Sequence, residues 1–422
     1  MPTISILGSH AATKMLMIVF AIMGSACSVP AQKRTSIPEP VQSVPTSMAR
    51  PASEPTSAPG LPIFIAPPTE AAVSKPPAPV TRETDKLLPH IALLLPLASK
   101  TFGKVADALK LGFVAAAEAE GGNAAPYRIY SAGDEGGALA AQYRIAVAEG
   151  AFAIVGGVTR DGANTIARES RFLPTLALNA PVISSDNDLP DRLVYISLNL
   201  DLEAKLAARM ALNEGLRNIV MVVANNPLAK RMQESFEQEW MRLGGAVPGR
   251  ISFGNEPNDA KRVAAAMERI NATNERVGAR TDAVFLAADP AAARFIRPYL
   301  PTGMAVFTTS HTVDPRAEAI ANLDLENVRF LEMPWFVEHD HPAVMSYAKP
   351  EPALQTEYER LYALGIDAWR LGQLLVNSEN ARRLPPLDGV TGRITQEGHQ
   401  LVRALSSVEV RDGKSQLYRP AQ

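Results

Sequence analysis

Two patterns of apolar residues alternate along the chain from His90 to Thr308. Short continuous runs recur at Ile91-Ala-Leu-Leu-Leu-Pro-Leu97, Tyr127–Tyr130, Phe152–Val155, Thr175–Leu178, Leu193–Leu198, Ile219–Val223, Ala283–Ala287 and Val306–Thr308. An uninterrupted run of this length is the signature of a strand buried on both faces. Alanine-rich stretches of helical period separate most of them. In the first, Val105, Leu109, Phe113 and Ala116 share one side, and the second covers Ala138 to Ala148. Strand alternating with helix predicts doubly wound, largely parallel sheets. The elements are too many for one modest sheet, so the expected fold class is α/β with two lobes. The first handover between lobes is expected at Asn199–Leu202, where a helix opens at Asp201 with acidic residues in its first turn.

Further on, Tyr358 to Val376 reads as an amphipathic helix whose apolar face carries Leu361, Leu364, Ala368, Leu371 and Leu375. Trp369 is expected in the core, and Asp367 and Arg370 in solvent or paired at a hinge. In Leu387-Asp-Gly-Val-Thr-Gly-Arg-Ile394 two glycines flank a β-branched pair, as a tight turn entering a strand requires.

The N-terminal region follows neither pattern. Lys14 precedes the apolar run Met15–Met23 and the small residues Gly24-Ser-Ala26, which together describe a secretory signal peptide. The run falls short of the roughly 20 residues a membrane span needs. Cys27, the only cysteine of the chain, comes next. Its position is that of a lipid-modified cysteine after lipoprotein cleavage, with Gly24 standing where a lipobox usually carries Leu. Ordinary signal-peptidase cleavage, leaving a free thiol, is the rival reading. Ser28 is compatible with sorting to the outer membrane. From Ser28 to Leu88 lie thirteen of the chain's 34 prolines, among Ser, Thr, Ala and Glu. Such a composition does not bury enough apolar surface to fold and favours extended geometry. At ~3.1 Å per residue, roughly 60 residues reach well over 100 Å. The expected organisation is therefore a signal peptide over 1–26, a lipid-anchored linker over 27–88 and a bilobal domain over 89–420. Lobe 1 is expected to take about 89–199 plus part of 309–385, and lobe 2 about 200–308 plus a C-terminal segment.

Composition narrows the function by exclusion. The 42 basic and 44 acidic side chains leave a net charge of −2, so no basic field exists for nucleic acid. One cysteine excludes a disulfide framework and a Cys-rich zinc site. The chain contains no P-loop, no dinucleotide fingerprint and no nucleophile elbow, and no cofactor is expected. His339-Asp-His341 is the nearest approach to a metal cluster and reads better as a polar loop before Pro342. Glu332, Glu338 and Asp340 offer carboxylates without a catalytic pairing. Gly133-Asp-Glu-Gly-Gly137 follows a strand and opens a helix, so its amides could face an anion, but it reads better as a tight strand-to-helix turn. Gly156, Gly157 and Thr159 follow a strand and share that ambiguity. With Asn179 and His311 at later strand ends, they are the candidate cleft-lining residues, since ligands of such sheets sit beyond the strands' carboxyl ends.

Several stretches together resemble one family. Ile91–Leu97 and Ala108-Leu-Lys-Leu-Gly-Phe113 look like the opening strand and helix of a type I periplasmic-binding-protein fold. Pro174-Thr-Leu-Ala-Leu-Asn179, Asp282–Pro290, Thr309-Ser-His311, Met333-Pro-Trp335, Leu361–Leu371 and Leu387–Ile394 narrow this to the LppC-type lipoproteins. The resemblance runs in collinear order from about residue 89 to about 418. It implies a non-enzymatic, outer-membrane-anchored module that binds and stimulates a class A penicillin-binding protein in peptidoglycan synthesis. It also supports lipidation of Cys27. Long family members carry a helical-repeat domain before this module, whereas here the Pro-rich segment takes that place. The alternative function is a periplasmic receptor holding an amino acid or a cell-wall fragment as a small ligand between the lobes.

Overall fold

A computed structural model describes residues 88–123, 125–134, 136–182, 188–254, 256–378 and 383–419. The signal peptide, Cys27 and nearly all of the Pro-rich segment lie outside the described residues. The first lobe opens with β1 (His90–Leu95), α1 (Gly103–Glu120), β2 (Tyr127–Ser131), α2 (Gly137–Ala148) and β3 (Ala151–Gly156). It continues through α3 (Arg160–Glu169), β4 (Thr175–Ala177) and β5 (Leu193–Tyr195). These five strands pair in parallel throughout. All six residues of β1 are buried, as its unbroken apolar run requires.

The chain then crosses to a second lobe. This contains α4 (Leu200–Asn213), β6 (Ile219–Ala224), α5 (Pro227–Arg242), β7 (Arg250–Phe253) and α6 (Asp259–Arg276). It goes on with β8 (Ala283–Ala287), α7 (Pro290–Ile296), β9 (Ala305–Phe307), α8 (Ala319–Asn322) and β10 (Val328–Glu332). A return crossing leads to α9 (Pro334–Val337), α10 (Pro342–Met345) and α11 (Thr356–Asn377). Next, β11 (Leu387–Gly389), β12 (Gly392–Glu397) and β13 (Gln400–Ala404) extend the first sheet. A third crossing delivers β14 (Ser406–Arg411) and β15 (Lys414–Leu417) to the second. The sheet orders are β11-β12-β13-β5-β4-β3-β1-β2 and β15-β14-β10-β9-β8-β6-β7.

The late strands differ from a division drawn on apolar runs. Val328–Glu332 stays in the second sheet beside β9, and Leu387–Ala404 belongs to the first. β12 and β13 bury alternate residues and pair antiparallel, so they carry no continuous run to betray them.

The core of the first lobe is sealed by α11 lying on α1. Phe113, Tyr127 and Trp369 meet edge to face with ring centroids 5.1–5.6 Å apart. Close approach of the helices rests on two glycines. A Cβ on Gly112 would sit 1.9 Å from the Tyr362 carbonyl oxygen, and one on Gly365 would sit 2.1 Å from that of Leu109. Asp367 corrects the expectation of a solvent-facing or hinge-pairing carboxylate: it is fully buried. It accepts hydrogen bonds from the amides of Val390 (3.0 Å) and Thr391 (2.8 Å) and from the Thr391 hydroxyl (2.7 Å). It therefore fixes α11 to the Gly389–Gly392 hairpin turn, which has the tight geometry its sequence predicts. Burial pushes the Asp367 carboxyl up, and the three donors oppose that. Arg370, beside it, donates to the Asp388 carbonyl at 2.8 Å.

Candidate functional site

Charged side chains gather where the chain passes between the lobes, near Ile196–Asn199, Met333 and Leu405. Asn199 caps α4 by accepting from the Asp201 amide at 2.8 Å, which places Glu203 in the first turn and in the interior. Glu203 accepts from the Ser310 hydroxyl at 2.7 Å. Glu332, the last residue of β10, is gripped by both terminal nitrogens of Arg360, one at 2.6 Å. Arg360 also donates to the Ser310 carbonyl at 3.3 Å. Arg403 on β13 is fully enclosed and donates to the Thr391 carbonyl at 3.2 Å.

Burial decides the electrostatics of this cluster. It raises the Glu203 carboxyl against the pull of Arg360 and Arg403. It lowers the Arg403 guanidinium against the opposite pull of Glu203 and Asp367. Each acid already faces a cation or a donor, so the cluster ties segments of the two lobes together.

Beside the cluster lies a cavity of about 790 Å³, within the range of small-molecule sites. Its walls are largely apolar (Leu198, Leu200, Val313, Met333, Leu354, Leu361), with Arg294, His311, Asp314 and Arg316 among the polar groups. Burial lowers the His311 imidazole, while Asp289 and Glu357 pull the other way.

Of the five candidate cleft residues only His311 lines this cavity. Gly156 ends β3 so close to β1 that a Cβ would sit 2.4 Å from the Leu94 oxygen. Gly157 has φ +72°, and Thr159 caps α3 by accepting from the Gly162 amide at 3.1 Å. Asn179 donates to the Val158 carbonyl at 2.8 Å and accepts from the Ala180 amide at 2.8 Å. The polar groups of that turn are thus engaged in building it. From its edge, Arg160 reaches across to within 4.0 Å of Asp201.

His341 of the His-Asp-His stretch accepts from the Ala343 amide at 3.2 Å, and no metal-binding group of three side chains occurs among the described residues. Trp335 is buried, its indole donating to Glu359 at 2.8 Å. Glu203, Arg360 and Arg403 escape a reading by motif. Their one signal is a charge set at an otherwise apolar position of the local period, as in Gln400-Leu-Val-Arg403.

The comparisons place this arrangement among known proteins. Residues 80–413 match the family described as "LppC putative lipoprotein". A penicillin-binding protein activator LpoA of Edwardsiella ictaluri is 24% identical over 284 residues, 59% of this chain and 41% of the relative. The LpoA of Yersinia pseudotuberculosis is 25% identical over 316 residues, 65% of this chain and 47% of the relative. The chain thus spans less than half the length of these relatives. Among solved structures, full-length LpoA of Haemophilus influenzae shares the fold at TM-score 0.61 and 22% identity, covering 78% of this chain and 58% of that one. The C-domain of that protein, titled a regulator of PBP1A, is matched over its whole length at TM-score 0.61 and 22% identity, covering 78% of this chain. A structure titled a "putative branched-chain amino acid ABC transporter", from Chromobacterium violaceum, is 30% identical at TM-score 0.63. That match covers 76% of this chain and 99% of the other. Two parallel-dominated sheets joined by three crossings, neighbours of these two kinds, and a family match from residue 80 to 413 lead to one conclusion: the chain is a member of the LppC family, with a type I periplasmic-binding-protein-like fold.

Proposed function

We propose that this chain is a non-enzymatic lipoprotein that binds and stimulates a class A penicillin-binding protein during peptidoglycan synthesis. Acylation of Cys27 would hold it at the periplasmic face of the outer membrane, with 27–88 as a tether and 1–26 as the removed signal peptide. The observation that carries the reading is the family match over 80–413 together with relatives named as penicillin-binding protein activators. A hinge cluster whose acids are all engaged by cations or donors supports a binding module over an enzyme. Crosslinking of the full chain in the periplasm, followed by identification of the captured synthases, tests it. Enrichment of a bifunctional synthase, with faster glycan polymerisation on adding the purified chain, is expected. A folded chain that enriches no synthase refutes it.

Two observations favour a second reading. The cavity of about 790 Å³ and the 30% identity to a protein titled an amino-acid transporter suit a small-solute receptor. A thermal-shift screen with amino acids and muropeptides separates the two, since a ligand present at 100 times its Kd stabilises by about 2.7 kcal/mol.

A further inference from the structure

Apart from the three crossings, the lobes are fastened at a second place. α11 packs in the first lobe, yet three residues at its start bond to the second. The Thr356 hydroxyl donates to the Asp314 carboxylate at 2.8 Å. Glu359 pairs with Arg316. Arg360 grips Glu332 and reaches the Ser310 carbonyl. Ser310, Asp314 and Arg316 all fall on one stretch, 310–317, which follows β9 and forms only a single 3-10 turn. The stretch is shaped in advance: Asp314 also accepts from the Arg316 amide at 3.0 Å, and its carbonyl accepts from Asn322 at 3.1 Å.

We propose that residues 310–317 form a latch that holds the two lobes at one fixed opening. Three single-strand crossings act as a hinge and leave rotation about it free. Asp314, Arg316 and Thr356 line the cavity beside that hinge, where bonds between lobes resist its opening. The pairing partners differ in exposure. Glu359 is fully buried, while the Arg316 side chain keeps 35% of its surface in solvent. Without Arg316, Glu359 retains the Trp335 indole, and Lys349 at 4.0 Å, as its compensation. Arg316 is therefore the member that can be pulled away from outside, and a carboxylate entering the cavity competes with Glu359 for it. This device is independent of which partner or ligand the protein serves.

Pulsed dipolar spectroscopy on the full chain tests it. Spin labels on Ala141→Cys in α2 and Lys261→Cys in α6, both exposed, report the separation of the lobes in a Cys27→Ser background. The latched protein is expected to give one narrow distance distribution. Arg316→Gln with Thr356→Val is expected to raise a second, longer population about tenfold, from about 1% to about 10% or more. Arg316→Lys with Thr356 intact restores the narrow distribution. Arg316→Gln alone, a change at a partly exposed side chain, gives the same direction should the double variant fold poorly. A broad distribution in the starting protein, or an unchanged narrow one in folded Arg316→Gln, overturns the proposal.

Discussion

Replacing either glycine at the crossing of α1 and α11 should destabilise the protein, and replacing both should cost much less than the sum. A Cβ at position 112 would meet the Tyr362 oxygen at 1.9 Å, and one at 365 the Leu109 oxygen at 2.1 Å, where ordinary contact begins at 3.4 Å. Both obstacles are helix backbone, so no rotamer change relieves them. The axes must part by roughly 1.3–1.5 Å, the difference between those distances. A radial gap of 0.5–1 Å already forfeits a quarter to a half of a dispersion well. The loss falls on Leu109, Phe113, Tyr362 and Trp369 at the seam. Overpacking of this kind costs about 1–3 kcal/mol, and the clash depth places each site at the upper end. Alanine returns about 1 kcal/mol in helix propensity. Each single variant should therefore lose about 2 kcal/mol.

The two clashes share one remedy. Once the helices have parted for the first alanine, the second finds its space already open. Gly112→Ala/Gly365→Ala should thus show a coupling energy of about 1–2 kcal/mol, within the range of contacting residues. Urea unfolding of the four proteins of the cycle, with the slope compared as well as the midpoint, measures it. Strict additivity would mean the sites relax independently. Either single variant matching the unmodified protein would mean that the helices slide apart at no cost. Both results contradict the reasoning.

Three further outcomes follow from particular groups. Asp367→Ala strips the Val390 and Thr391 amides and the Thr391 hydroxyl of their acceptor in a dry site, so a loss of about 3–5 kcal/mol is expected in urea unfolding. The bonds from Arg242, joined by Arg209, pull the Glu239 carboxyl down to about 2 against the opposing effect of its burial. Its contribution is therefore complete above the ordinary 4.5 and lost as pH falls from there toward 2, and Glu239→Gln should flatten that limb of the stability profile. Cys27→Ala should abolish incorporation of a labelled fatty acid, whereas a mature natural chain that takes up no label and keeps a free Cys27 thiol would restore simple secretion.

The early strands were legible because burial on both faces leaves little choice of residue: β6 and β8 are apolar without a break, and β1 is so from Ile91 to Leu95. α11 was equally plain, its period marking Leu361, Leu364, Ala368, Leu371 and Leu375, all of them buried except the half-buried Leu361. Asp367 was misjudged because a carboxylate in that stripe looks like an edge residue until three donors from the 390–391 turn are seen around it. Gly156, Gly157 and Thr159 drew attention as a glycine turn after a strand. Such a turn serves close packing as readily as a ligand, and here Leu94 and the α3 cap occupy it. The hinge cluster was illegible for another reason. Glu203, Glu332, Arg360 and Arg403 stand far apart in sequence, and only the three crossings bring them together.

Much of what makes the family recognisable has a structural task in the first lobe. Gly112 and Gly365 let two helices touch, Asp367 clamps the turn opened by Gly389, and Trp335 and Trp369 fill the core. A Cβ on Gly389 would lie 2.6 Å from the Asp367 carboxylate, so that motif residue is tied to another across the fold. These residues set the shape of a lobe, and the docking surface that the activator reading requires would lie on its exterior. The hinge charges, likewise, are held within the fold, Glu332 by Arg360, Glu203 by the Ser310 hydroxyl and Arg403 by the Thr391 carbonyl. A module that fixes its own opening brings a preformed surface to a partner, and preorganisation lowers the ordering cost of association. A receptor that closes on a solute works the opposite way, spending ligand contacts on moving the lobes. On that physical ground the latch and the activator reading fit each other, and a narrow lobe separation unchanged by candidate solutes would separate them from a receptor.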